Sequence, residues 1–177
     1  MENHLTYYLH EGKIHGLADV MEFIEMNDFS LVILPDSSSN DYSYHKELHD
    51  RGLDIIILDH HEAEHISEDA IVINNQLCDY PNKQMSGVGI VWQFCRYLDS
   101  LLNSNYANNY LDLVAIGMCG DMMDLRSIET KHLILKGFKE ENLKNPFIYY
   151  MAQKNAFSLR KSYNTNRRSI LYCTFYK

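Results

Sequence analysis

The residues of this 177-residue chain best suited to chemistry are carboxylates and imidazoles in three short segments: Asp36 to Asp41, Asp59-His60-His61-Glu62, and Gly120 to Asp124. Carboxylate oxygens and imidazole nitrogens are ligands for a hard or borderline divalent ion such as Mn²⁺ or Mg²⁺. Each segment also has a simpler reading. An Asp at a strand end commonly caps the next helix, which would account for Asp36 or Asp41, and Asp121 with Asp124 could form the polar end of a helix. Asp59-His60-His61 resists that reading, because three ionisable groups directly after an apolar strand are more than a solvated loop needs. The run His61-Glu62-Ala63-Glu64-His65 also spells the H-E-x-x-H pattern of zinc proteases. That pattern works only on a helix that puts both histidines on one face. Here His61 comes off a strand and another strand begins soon after His65, so the match is read as accidental.

The elements that must position these residues follow from apolar periodicity. Leu17, Val20, Met21, Phe23 and Ile24 have helical spacing, and the run Leu31 to Leu34, stopped by Pro35, is a strand. Tyr44 and Leu48 before Arg51-Gly52 predict a second helix. The unbroken run Ile55 to Leu58 predicts a strand buried on both faces, and Ala70 to Ile73 a third strand. Longer helical patterns cover Ser86 to Leu102 and Tyr106 to Met118, with a further one from Thr130 to Phe138. Helices alternating with buried strands predict an α/β fold, a parallel β-sheet flanked by helices and joined by right-handed crossovers. In such sheets ligands collect beyond the carboxyl ends of the strands, where Asp36 and Asp59 fall at matching positions.

Composition narrows the class. The chain has 46% hydrophobic residues with only 8 Gly and 3 Pro, which excludes disordered and collagen-like proteins. Its length predicts a single domain with a real core, and no apolar run approaches the roughly 18 residues of a membrane-spanning helix. The N-terminus lacks the basic flank and apolar stretch of a signal peptide, so a cytoplasmic location is expected. Four cysteines (Cys78, Cys95, Cys119, Cys173) form no Cys-x-x-Cys pair and are read as reduced, mostly buried thiols. All 24 acidic residues, but only 10 of the 16 Lys and Arg, lie in residues 1–150; residues 151–177 hold the other six basic residues and no acid. An acidic body of this kind argues against non-specific duplex binding through a basic face, and is compatible with a metal site.

Taken together the residues resemble the DHH phosphoesterases, whose signature is spelled by Asp59-His60-His61. Within that superfamily the spacing is most similar to the RecJ-type single-strand-specific exonucleases. The matching segments are Leu34-Pro35-Asp36, Asn74-Asn75 with Tyr80-Pro81, Ser86-Gly87-Val88-Gly89, and Ala115-Ile116-Gly117 leading to Asp121, Met122, Met123, Asp124 and Leu125. The resemblance implies metal-dependent hydrolysis of single-stranded DNA through two Mn²⁺ or Mg²⁺ ions. Asp36 would bridge the ions, His60 and Asp121 would ligate one of them, and His61 would contact the scissile phosphate. Asp59 would fix an imidazole tautomer, and Ser86, Gly87 and Gly89 would bring backbone amides to a phosphate. Alternatives in the superfamily are an oligoribonuclease, a cyclic-dinucleotide phosphodiesterase or a pyrophosphatase. A non-catalytic metal-binding remnant is the alternative outside it.

Two departures from the family pattern are expected to matter. The family's first motif, Asp-x-Asp on a strand, does not precede Asp36 in this sequence, so the chain is read as truncated, with an incomplete metal cluster and an inactive fragment among the outcomes. Residues 1–158 are then a partial DHH phosphoesterase domain, and 159–177 a basic tail unlike the family. Read one nucleotide later, a coding sequence for Arg167 to Phe175 can spell an apolar continuation, which makes a frameshift one origin of that tail.

Overall fold

The computed structural model describes residues 4–10, 15–150 and 153. The chain divides into two compact units, Met1–Leu77 and Cys78–Lys177. The basic tail 159–177, the boundary before it and Cys173 lie outside the described residues.

The first unit is the α/β part. Helix α1 (Leu17–Glu25) leads to strand β1 (Leu31–Pro35), helix α2 (Tyr42–Asp50), strand β2 (Asp54–Asp59) and strand β3 (Ile71–Asn74). The three strands are parallel in the order β1-β2-β3. Pro35 pairs with Leu58, which pairs with Ile73, and Asp59 pairs with Asn74. The three carboxyl ends are therefore level, and the residues that follow them start from one edge.

The alternation of side chains along a strand decides what is buried. Leu34, Ile55 and Ile57 join Leu17, Val20 and Ile24 of α1 and Leu48 of α2 in one apolar cluster. Each fully buried Leu or Ile contributes roughly 1.5–3 kcal/mol relative to an exposed one. β2 is the central strand, with Ile55, Ile57 and Leu58 buried as its unbroken apolar run predicts, and Ile56 only half-buried. The flanking strands are different. Leu31 and Ile33 of β1 and Ile71 and Ile73 of β3 are each more than a third exposed, because their partners in the alternation already face the cluster. In the first unit the helices α1 and α2 thus serve one face of the sheet.

The second unit is helical: α3 (Gly87–Leu102), α4 (Leu111–Gly120) and α5 (Ile128–Gly137), with 3-10 turns at Ala107–Tyr110 and Glu140–Asn142, and helical residues 146–150. The helix expected over 106–118 is split at Leu111, and the reason is Asp99. Its carboxylate accepts the backbone N–H groups of Tyr106 (3.0 Å) and Ala107 (2.7 Å) and the hydroxyl of Ser104, so the chain is committed to a tight turn before α4 begins. Asp112, buried on α4, accepts the N–H groups of Lys144 and Asn145 at 2.8 and 2.7 Å. Of the described cysteines, Cys119 is buried and Cys95 half-buried, whereas Cys78 is exposed, a departure from the expectation of mostly buried thiols. Among the described residues no helix is long and apolar enough to cross a membrane.

Candidate metal centre

Directly after β1 the backbone leaves the extended region. Asp36 still donates its N–H to the Leu58 carbonyl at 2.8 Å, but its φ is 64° and that of Ser38 is 75°. Asp tolerates the left-handed region better than most residues, and Ser less well, so the turn is held by its surroundings. His45 of α2, fully buried, makes a 2.9 Å hydrogen bond from Nε2 to the Ser38 carbonyl. Burial pushes the His45 pKa down, against the raising effects of the Ser38 carbonyl and of the Asp41 and Asp69 charges. The neutral ring donates through Nε2–H. This turn brings an Asp36 carboxylate oxygen to 3.2 Å from His60 Nε2.

Asp59 ends β2 with its side chain 1% exposed. Its carboxylate accepts the N–H groups of Ser39 (3.2 Å), His60 (2.8 Å) and His61 (3.3 Å), and meets His61 Nδ1 at 2.7 Å. Burial pushes the carboxyl pKa up, but these hydrogen bonds, led by Ser39 and the His61 ring, outweigh it and the net shift is downward. The buried group is therefore a carboxylate, and it fixes the His61 ring through Nδ1, leaving Nε2 outward. One ligand atom each of Asp36, His60 and His61 lies within 4.8 Å of the others. Oxygen and imidazole nitrogen at this spacing suit Mn²⁺ well. Asp36 and Asp59 share an edge as expected, and each holds a different histidine.

The zinc-protease spacing has no helix to act on, since 61–65 is irregular. His65 stacks on Tyr42 with ring centroids 4.0 Å apart, and the Tyr42 hydroxyl donates to the His65 carbonyl. Asp41, weighed as a cap, precedes α2 without a side-chain bond to it and instead accepts the Leu17 N–H at the start of α1.

The other expected residues belong to the second unit. Asp121 is the exposed residue that closes α4, donating its N–H to the Gly117 carbonyl at 3.0 Å. Asp124 pairs with Arg126. Ser86 precedes α3 and makes no side-chain capping bond; it is fully buried and, among the described residues, its Oγ has no hydrogen-bond partner. Gly87 and Gly89 are buried in the first turns of α3. A Cβ at Gly89 would stand 2.4 Å from Met85 Sδ and 2.8 Å from Met118 Cε, so the absence of a side chain there is already required by close packing with α4.

The model of the DHH family, N-terminal domain, matches residues 2–118. The chain belongs to the DHH family. It is 40% identical over 159 residues to YorK of Bacillus subtilis strain 168, whose name describes an SPbeta prophage-derived single-strand DNA-specific exonuclease. Over 105 residues it is 36% identical to the single-stranded-DNA-specific exonuclease RecJ of the same strain. These matches take in 88% and 58% of this chain, but only 26% and 13% of the relatives, so the chain spans about a quarter of YorK's length. Its fold is similar to that of exonuclease RecJ in a crystal structure with bound manganese (TM-score 0.70, 18% identity, covering 89% of this chain and 38% of that one). It is also similar to RecJ of Thermus thermophilus in complex with Mn²⁺ (TM-score 0.65, 18% identity, 89% and 23%).

Two residues that hold this DHH site carried no role in the sequence reading. Asn74, buried at the end of β3, donates from Nδ2 to Ser39 Oγ and to the His61 carbonyl, both at 2.9 Å. It is in register with Asp59, and the signal was available: it is the third polar residue to end an apolar strand. His45 lies three positions before Leu48 on α2, a polar residue on the helix face turned inward.

Proposed function

We propose that this DHH domain serves metal-dependent hydrolysis of phosphodiester bonds in single-stranded DNA, in the manner of RecJ-type exonucleases and in the cytoplasm. The observation that carries the reading is the group of ligand atoms from Asp36, His60 and His61 at the carboxyl edge of a parallel sheet, in a chain similar to YorK and RecJ. A divalent ion held there would supply a water of lowered pKa and stabilise charge on the phosphate. The chain's own residues do the rest. Asp59 holds the His61 ring in one orientation with Nε2 outward, and Asp36 and His60 would bind the ion; the contact of His61 with the scissile phosphate is proposed on the family resemblance. The ligand role of Asp121 and the phosphate contacts of Ser86, Gly87 and Gly89 are proposed on the family resemblance. Residues 1–158 are proposed as a partial DHH phosphoesterase domain, and the relatives' whole activity on DNA is proposed for the complete protein.

The test is ion binding with variants. Mn²⁺ is expected to raise the thermal midpoint, because a ligand of the native state stabilises it. Asp36→Asn, which keeps tolerance of a positive φ, and His60→Ala are expected to abolish that rise. Asp121→Asn is expected to weaken it. An unchanged rise in both first-unit variants would place the ion elsewhere. Hydrolysis of a single-stranded oligonucleotide that needs Mn²⁺ and is lost in His61→Ala completes the test.

A further inference from the structure

His65, the second histidine of the zinc-protease spacing, is not part of the metal-ligand group, but the loop that carries it is held in place. Asn40 donates from Nδ2 to the Glu62 carbonyl at 2.9 Å and accepts the Glu64 N–H on Oδ1 at 3.2 Å. The Tyr42 hydroxyl accepts the His65 N–H at 3.1 Å and donates to the His65 carbonyl at 3.0 Å. The backbone from Glu62 to His65 is thus fastened to the start of α2 and the turn before it. The rings follow the backbone. His65 lies on Tyr42 with centroids 4.0 Å apart and planes 8° from parallel. Tyr42 is half-buried, and its ring meets that of the fully buried His45 edge to face, with centroids 5.9 Å apart. Among the described residues, no other aromatic ring stands against His65. His65 is exposed, and so is Ile66 beside it.

Resting on the function proposed above, we infer that the His65 ring, backed by Tyr42, is a stacking platform for one unpaired nucleobase of the single-stranded DNA. A flat ring already held on one side presents its other face with little freedom left to lose, so less of the stacking energy is offset by ordering. Any base can use such a face, because every base has a flat π-surface. The flanking side chains agree with a base and not a phosphate as the occupant. Glu62 and Glu64 are exposed acids, and their charges repel phosphates, so at this loop the strand turns a base inward. The platform is also within reach of the metal-ligand group. His65 follows His61 by four positions, which keeps their Cα atoms within about 14 Å of each other. That is at most about four nucleotides at a stacked spacing of roughly 3.4 Å.

The experiment compares the full chain as wild type, His65→Ala and His65→Phe. Each is titrated with an oligothymidylate and with an abasic strand of the same length, by fluorescence anisotropy with Mg²⁺ present, and with Mn²⁺ by thermal shift. Both hydrogen bonds from the loop to Tyr42 use the His65 backbone, so His65→Ala is expected to keep the wild-type midpoint and Mn²⁺ response. It is expected to bind the oligothymidylate about tenfold more weakly, the loss of one stacked base, and the abasic strand as the wild type does. The slope of log affinity on log salt should be the same in both, since a stacked base releases no counterion. His65→Phe, which keeps a flat ring, is expected to retain most of the affinity. Wild-type affinity for the oligothymidylate in His65→Ala overturns the inference, as does an equal loss for the abasic strand or failure of the wild type to bind the oligothymidylate. Base-dependent binding through His65 in a chain with no Mn²⁺ response overturns the metal reading and leaves the platform standing. A Mn²⁺ response with undiminished oligothymidylate affinity in His65→Ala does the reverse.

Discussion

The end of β2 and the start of α3 carry motif residues of the same family, and the two regions use them in opposite ways. At the end of β2, a buried carboxylate is surrounded by four nitrogen partners and the His61 ring it supports faces outward. At the start of α3, a buried hydroxyl has no partner among the described residues and Gly89 is pressed against two methionines. The first arrangement uses buried polar groups for orientation. The second is explained, as far as the first turns of α3 go, by helix packing, with the Ser86 hydroxyl left over. Four predictions press on that contrast.

The largest effect belongs to Asp59. Asp59→Ala strips an acceptor from the N–H groups of Ser39, His60 and His61, and leaving such donors unsatisfied costs about 3 kcal/mol or more in total. Urea unfolding should show this loss, and the Mn²⁺-induced rise in thermal midpoint should vanish with it because His61 loses its orientation. Asp59→Asn, which keeps one acceptor oxygen, should cost clearly less. A loss below about 1 kcal/mol in the alanine variant would mean that water replaces the carboxylate and that the region is not built as argued.

Next is Gly89→Ala. A methyl group placed 2.4 Å from Met85 Sδ and 2.8 Å from Met118 Cε forces repacking of a fully buried pair, and overpacking of this kind costs about 1–3 kcal/mol. Calorimetry should show a lower midpoint whether or not phosphate is present. An unchanged midpoint with weakened oligonucleotide binding would instead return Gly89 to the phosphate role that the resemblance gives it.

How much of this was legible in the sequence depends on the range of the interaction. The strands were legible because Leu31 to Leu34 and Ile55 to Leu58 are unbroken apolar runs, and the strand-end carboxylates were legible because they stop those runs. The partial exposure of β1 and β3 was not, since an apolar residue reads the same whichever face it occupies, and only the placement of α1 and α2 decides which face is covered. The split of the helix after Tyr106 was hidden for a related reason: it depends on Asp99, on the preceding helix, which reads in sequence as an ordinary polar position. The Asp41 bond to the Leu17 N–H was invisible to motif reading, because no local pattern encodes a contact between residues so far apart in sequence.

Ser86 tests the contrast most directly. Its Oγ is buried with no hydrogen-bond partner, a state that lowers stability, so Ser86→Ala should leave the protein unchanged or raise its stability by up to about 1 kcal/mol. If oligonucleotide affinity also stays unchanged, the hydroxyl has no part in binding. If stability rises while affinity falls, the hydroxyl is retained for a ligand, and the start of α3 joins the end of β2 as a region that gives up stability for function.

The smallest effect comes from the polar cluster that fastens the segment leading into α3. Glu129 of α5 accepts hydrogen bonds from the Tyr80 hydroxyl (2.7 Å), Asn82 Nδ2 (3.0 Å) and Gln93 Nε2 (3.1 Å). Burial first, and then the Glu129 hydrogen bond and charge, push the Tyr80 pKa up to about 12. A phenol in the unfolded chain ionises near about 10. The folded state therefore favours the protonated hydroxyl: its contribution is fully present below about pH 10 and is lost as pH rises toward about 12. Unfolding free energy measured in urea across that interval should fall for the wild type. In Tyr80→Phe it should fall less, and at neutral pH that variant should be weaker by about 1 kcal/mol for the missing hydrogen bond. Tyr80 is partly open to solvent, so the alkaline change is modest, and the difference between the two slopes is the quantity to read. Equal slopes would mean that Asn82 and Gln93 hold Glu129 without Tyr80. The approach to α3 would then be anchored by amides alone, and the phenol would be a bystander in the polar cluster that the second region sets against the carboxylate of the first.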